Sequence, residues 1–115
     1  MTDHRYEIRL SGSGGQGLIL AGIILAEAAS IYDGKEAVQT QSYGPESRGG
    51  ASKSEVVISN TEIDYPKVIS PDLLLAMTQQ AYDAYIGSLN PDGVAVIDSF
   101  FVENQENSNG RIVAL

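Results

Sequence analysis

A chain of 115 residues with 43% hydrophobic content has room for one compact core and no second independent domain. Fifteen acidic against seven basic residues give a formal charge of -8, which excludes tracking along a nucleic-acid backbone and adsorption to anionic membrane surfaces. Cysteine is absent, so the chain offers no thiolate for an iron-sulfur cluster, no thiol nucleophile and no disulfide, a composition that suits the cytoplasm.

The first ten residues are charged rather than apolar, unlike a signal peptide. His4 stands alone in this polar stretch and is read as solvated. Tyr6 to Ser11 alternates, with Tyr6, Ile8 and Leu10 on one face and Glu7 and Arg9 on the other, as a strand does. Ser11 to Gly17 (SGSGGQG) cannot continue that strand, because glycines so dense favour tight or left-handed geometry. A helix follows over 18–32, with so little polar surface that it is expected to bury more than one side. The run is too short to span a bilayer, which takes about 20 residues.

Lys35 to Gln41 predicts a short strand, and the polar, glycine-rich stretch 42–52 predicts a long loop. Ser54 to Ser59 (SEVVIS) is a β-branched strand, followed by a turn and an extended piece around Ile63. Asp72 to Met77 (DLLLAM) is a continuous apolar run, as in a central strand buried on both faces. Thr78 N-caps a helix to Leu89 whose Ala81, Tyr82, Tyr85, Ile86 and Leu89 share one face. Gly93 to Asp98 predicts another buried strand. Arg111 to Leu115 predicts the start of one more, and because the last residue falls inside that element the chain reads as truncated at its C-terminus.

This alternation implies an α/β fold, Rossmann-like, with a mostly parallel sheet and helices on both faces. Ligands of such sheets gather beyond the carboxyl ends of the strands. The expected rim therefore combines 11–17, 42–50, 77–79 and 98–101.

Two clusters on that rim carry candidate chemistry. In the first, Gly12, Ser13, Gly14, Gly15, Gln16 and Gly17 place G-x-G-x-x-G between a strand and a helix, where free amides and the helix dipole suit an anion such as phosphate. Close packing of helix on strand accounts for the same glycines without a ligand, and both readings stand. NAD is disfavoured because the second strand (Val38, Gln39, Thr40, Gln41) lacks the acid that would bind ribose, and no Walker lysine follows Gly17. In the second, Tyr43, Arg48, Gly49 and Gly50 lie within YGPESRGG, where Arg48 can fork onto a carboxylate or phosphate. An internal Arg48 to Glu46 pair is the competing reading. Lys53 reads as solvated, and Asp72 and Asp98 as turn caps. No set of residues completes a catalytic site, with neither a nucleophile triad nor a metal triad nor a thiamine diphosphate motif, so no catalytic residue and no metal ligand is assigned.

GSGGQG at 12–17, Leu20-Ala21-Gly22, Glu27-Ala28-Ala29, the loop 43–50, Ser59 and Pro71-Asp72 together resemble the gamma subunit of 2-oxoacid:ferredoxin oxidoreductases, the pyruvate/ketoisovalerate gamma-type domain, over nearly all of residues 1–115. The wording AVQTQSYGPESRGGASKSEV and IDYPKV is most similar to the 2-oxoglutarate branch. The resemblance implies a cytoplasmic hetero-oligomer that decarboxylates a 2-oxoacid oxidatively to acyl-coenzyme A and passes electrons to ferredoxin. It implies thiamine-binding alpha and beta subunits and a ferredoxin-like subunit that hold the thiamine diphosphate, magnesium and iron-sulfur clusters. The resemblance also implies an association of coenzyme A with this type of domain, which would make the glycine turn and Arg48 candidates for its phosphates. The isolated chain is expected to be inactive. A purely structural interaction module is the alternative.

Overall fold

In the computed structural model, residues 5–13, 16–42, 52–106 and 108–115 are described. Strand β1 (Arg5–Gly12) lies inside the sheet, and after it come α1 (Gln16–Tyr32), β2 (Glu36–Ser42), β3 (Ser52–Ser59) and β4 (Leu73–Ala76). Helix α2 (Gln79–Tyr85) runs into a 3-10 turn at Ile86–Ser88 and is followed by β5 (Val94–Ile97) and β6 (Arg111–Ala114). The six strands lie in the order β2-β3-β1-β4-β5-β6. The pairs β1/β4, β4/β5 and β5/β6 are parallel, while β3 is antiparallel to both of its neighbours. Only β3 therefore runs against the other five, and the sheet is mostly parallel as expected.

The reversal of β3 has a local cause. Only residues 43–51 join β2 to β3, and a parallel pairing would need a longer crossover, of about a dozen residues or more. Strand β3 instead turns back along β2 and slots between β2 and β1. DLLLAM takes the central position foreseen for it, as β4 between β1 and β5. The extended piece around Ile63 does not form a strand, and 60–72 has no regular element.

The two helices cover opposite faces. Ile8, Leu10, Leu18 and Val56 form one cluster with Leu25, Leu73 and Leu75 beneath α1. Leu74, Ala76, Ala95 and Ile97 form the other, with Ala81, Tyr82, Tyr85, Ile86 and Leu89 of the α2 region, whose shared face was read correctly. Thr78 caps α2 as expected, its hydroxyl accepting from the Ala81 N–H at 3.1 Å. Burial of a large side chain such as Leu89 stabilises the fold by about 1.5–3 kcal/mol.

Helix α1 departs from expectation. It buries only the side that faces the sheet, and Leu20, Ile24 and Ile31 are 57%, 56% and 67% exposed. These three recur on one stripe at helical spacing. The helix crosses β3 at Gly22, where an added Cβ would collide with the Ser54 hydroxyl and sit 3.3 Å from Gln39 Cγ. It ends at Gly34, whose φ of 66° is left-handed and favours glycine, with the Lys35 N–H returning to the Ala29 carbonyl at 3.1 Å.

Candidate functional site

The carboxyl ends of β1 and β4 open an apolar cleft beside the start of α1. Met77 is pinned there by its N–H on the Ser11 carbonyl at 3.0 Å, which extends the β1/β4 ladder to the rim. Gly12, Ser13, Gly17, Leu18, Ala21, Leu75, Met77, Thr78 and Phe101 line a cleft of about 510 Å³. Leu75 and Met77 also border a smaller cleft of about 200 Å³ reaching Ile97, Asp98 and Leu115. Gly12, Ser13, Gly17, Met77, Thr78, Asp98 and Phe101, far apart in sequence, thus share one rim as expected of them.

Within the glycine turn the described residues differ in role. A Cβ on Gly12 would stand 3.3 Å from both Leu18 Cδ1 and Met77 Cβ, so Gly12 is small because helix, strand and rim close on it. A Cβ on Gly17 would meet nothing within 4 Å. Packing does not require a glycine there, and its exposed backbone faces the cleft. Among the described residues of the turn neither glycine has a positive φ, so close approach and open access, rather than left-handed geometry, explain them. Gln16 opens α1, and its first turn carries no acidic residue to oppose an anion. Gly14, Gly15, Tyr43, Arg48, Gly49 and Gly50 lie outside the described residues. The ends that flank 43–51 are placed, with Ser52 paired to Gly12 and Ser42 to Lys53, so that connection leaves and rejoins the sheet at the same rim.

No ionisable side chain among the described residues lines the larger cleft. Thr78 Oγ1 is engaged by its cap, and Asp98 Oδ1 accepts from the Phe100 N–H at 2.9 Å, the turn-capping role assigned to it. Asp72 is structural too but does not cap a turn with this bond, its Oδ2 accepting from the Glu7 N–H of β1 at 2.9 Å. What the cleft offers is an apolar wall, a polar lip of backbone and the Ser13 hydroxyl. No group of described residues is arranged to hold a metal ion, and among them no helix is long and apolar enough to cross a membrane.

The charged residues instead gather on the opposite face. Arg9, 7% exposed, donates from Nε to Glu55 Oε2 at 2.6 Å, from Nη1 to Ser88 Oγ at 2.9 Å and from Nη2 to the Val68 carbonyl at 2.9 Å. Its guanidinium lies 5.0 Å from the Tyr85 ring centroid, and Lys53 Nζ reaches the same Glu55 oxygen at 3.2 Å. Glu7 Oε1 accepts from the Ile69 and Ser70 N–H groups, both at 2.9 Å, and so anchors the chain ahead of β4. Lys53 is therefore part of a buried network rather than solvated. The signal for it was the opposite charge of Arg9 and Glu55, legible only once β1 is known to pair with β3.

The family model described as pyruvate ferredoxin/flavodoxin oxidoreductase matches residues 7–114. The chain belongs to this family. Among its relatives, the 2-oxoglutarate synthase subunit KorC of Methanocaldococcus jannaschii is 63% identical over 102 residues, covering 89% of this chain and 54% of the relative. This family member thus spans about half the length of the curated relatives it matches. The gamma subunit of a keto/oxoacid ferredoxin oxidoreductase from Geobacter sulfurreducens superposes with a TM-score of 0.84 at 55% identity, over 96% of this chain and 60% of that one. The 2-oxoglutarate:ferredoxin oxidoreductase of Magnetococcus marinus, solved with 2-oxoglutarate, coenzyme A and succinyl-CoA, matches at a TM-score of 0.75 and 26% identity, over 96% of this chain and 19% of that one.

Proposed function

We propose that the chain serves as the gamma-type component of a 2-oxoglutarate:ferredoxin oxidoreductase, a cytoplasmic complex that converts a 2-oxoacid to its acyl-coenzyme A with electrons passed to ferredoxin. The observation that carries this reading is the 63% identity to a 2-oxoglutarate synthase subunit across 89% of the chain. On this reading, thiamine diphosphate, magnesium and iron-sulfur clusters belong to thiamine-binding alpha and beta subunits and a ferredoxin-like subunit. The chain's lack of cysteine agrees with that division.

The cleft at the glycine turn fits a contact with coenzyme A, whose thiol would receive the acyl group in the complex. Backbone left open at Gly17 suits a phosphate, and Leu18, Leu75, Met77 and Phe101 suit the less polar arm. Arg48, in the connection between Ser42 and Ser52, is the proposed source of positive charge. This domain binds and positions, and the bond-making groups come from partner chains.

A second reading, a non-catalytic interaction module, draws on Gly12, which packing alone explains, and on the exposed stripe Leu20, Ile24 and Ile31. Purification of the tagged chain from its native cells tests the first. It is expected to bring down thiamine-binding and cluster-binding chains with 2-oxoglutarate-dependent, coenzyme A-dependent reduction of ferredoxin, and to be inactive when separated from them. Turnover by the separated chain, or an assembly that turns over no 2-oxoacid, would overturn it.

A further inference from the structure

A second, polar cleft of about 310 Å³ opens on the α2-side face of the sheet, over β2 and β3, lined by Thr40, Gln41, Ser42, Lys53, Glu55 and Lys67 together with Val68. Register places Thr40 opposite Glu55 and Ser42 opposite Lys53, so ammonium, carboxylate and hydroxyl groups project to one face. The charges here do not balance. One carboxylate, Glu55, serves both Arg9 at 2.6 Å and Lys53 at 3.2 Å. Lys67 adds a third cation that has no ion pair among the described residues. Among the described residues two positive charges are left over, in a chain whose formal charge is -8. Lys53, 27% exposed at its side chain, keeps access to the cleft while sharing its one carboxylate among the described residues with Arg9. Ser42 Oγ, in the same wall, is buried with no hydrogen-bond partner. The wall is also held in place, since Arg5 donates to the Lys67 carbonyl at 2.7 Å and Arg9 to that of Val68 at 2.9 Å.

We propose that this cleft is an oxyanion site of the phosphate class, held by Lys53 and Lys67 with hydroxyl support from Thr40 and Ser42. It is separate from the glycine-turn cleft, which opens on the α1 side, and it does not depend on the function proposed above. Arg9 neutralises Glu55 from behind, which removes the repulsion that carboxylate would otherwise exert on an incoming anion. The ligand is either free inorganic phosphate or a phosphomonoester on a larger molecule, since two ammonium groups and hydroxyls recognise the same head in both.

The test is a phosphorus NMR titration of inorganic phosphate, and separately of phenyl phosphate, into the protein in its native assembly. Lys53→Gln is expected to weaken binding on the order of tenfold and the more exposed Lys67→Gln about threefold. Because Lys67 is exposed and its side chain makes no ion pair among the described residues, K67Q should melt with the wild type, which separates lost binding from lost fold. Tighter binding of phenyl phosphate would identify a phosphomonoester as the ligand, and tighter binding of inorganic phosphate the free ion. Phosphate affinity equal in wild type, K53Q and K67Q, or no saturable binding by the wild type, would overturn the site.

Discussion

Replacement of Arg9 by methionine removes one member of a buried ion pair while keeping most of the side chain's volume. Arg9 and Glu55 are 7% and 5% exposed, so the carboxylate left behind cannot recover its hydration. Breaking such a pair from one side costs about 3–5 kcal/mol. Lys53, already 3.2 Å from the same oxygen, retains part of the compensation, which puts Arg9→Met at the lower end, near 3 kcal/mol. The bonds to Ser88 and Val68 and the stacking on Tyr85 go with it. Removing both charges, as Arg9→Met with Glu55→Met, should be far milder, within about 1 kcal/mol of wild type, because no buried charge is stranded and Lys53 can reach solvent. Equilibrium urea unfolding of wild type, both single variants and the double variant forms a complete cycle. A cost below about 1 kcal/mol for Arg9→Met, or a double variant no more stable than that single one, would refute the assignment of a buried, coupled pair.

The glycines make a sharper comparison. Gly12→Ala forces a Cβ between Leu18 and Met77, each 3.3 Å away, and is expected to destabilise by about 1–3 kcal/mol. Gly17→Ala enters open space and should be neutral or stabilising by up to about 1 kcal/mol; if the glycine-turn cleft binds coenzyme A, it nonetheless raises the apparent KM for coenzyme A in the assembled complex. Gly22→Ala meets the Ser54 hydroxyl, so a loss of about 1–3 kcal/mol should be partly recovered by adding Ser54→Ala, and a full loss in the double variant would exclude that contact as the cause. Tyr82 is expected to make the fold sensitive to alkali. Burial, then the charges of Asp83 and Glu106, raise its pKa above 10.0, so the native state favours the neutral phenol; the associated stability is complete below that ordinary value and lost as pH rises through the raised one. Urea midpoints measured from about pH 9 to 11 should fall less steeply for Tyr82→Phe than for wild type. Ile24→Glu, on the exposed stripe, should leave unfolding within about 0.5 kcal/mol of wild type yet prevent copurification with partner chains.

Much of the fold was legible because its signals are local. Alternation in 6–11, the apolar runs of β4 and β5 and the Thr78 cap each depend on residues within one element. The reversal of β3 was not read from the sequence, although the shortness of the 43–51 connection accounts for it. The buried network was not legible in this way. Arg9 and Glu55 are 46 positions apart, and on a strand read alone a charged face suggests solvent. Nor does a G-x-G-x-x-G string distinguish its members, since Gly12 is constrained by Leu18 and Met77 while Gly17 is constrained by nothing nearby. Helix α1 misled for a related reason: apolar residues all round it announce burial but do not say that the second face is buried within the same chain.

On the proposed function, that second face bears on how the domain would join partner chains. Leu20, Ile24 and Ile31, each more than half exposed, together form a contiguous apolar stripe of the sort that an interface core requires. The stripe lies on α1, whose first turn also borders the glycine cleft. On the proposed function, a partner seated on α1 would therefore fix the helix whose amino end faces the ligand, so that assembly and the shape of the cleft are set by one element.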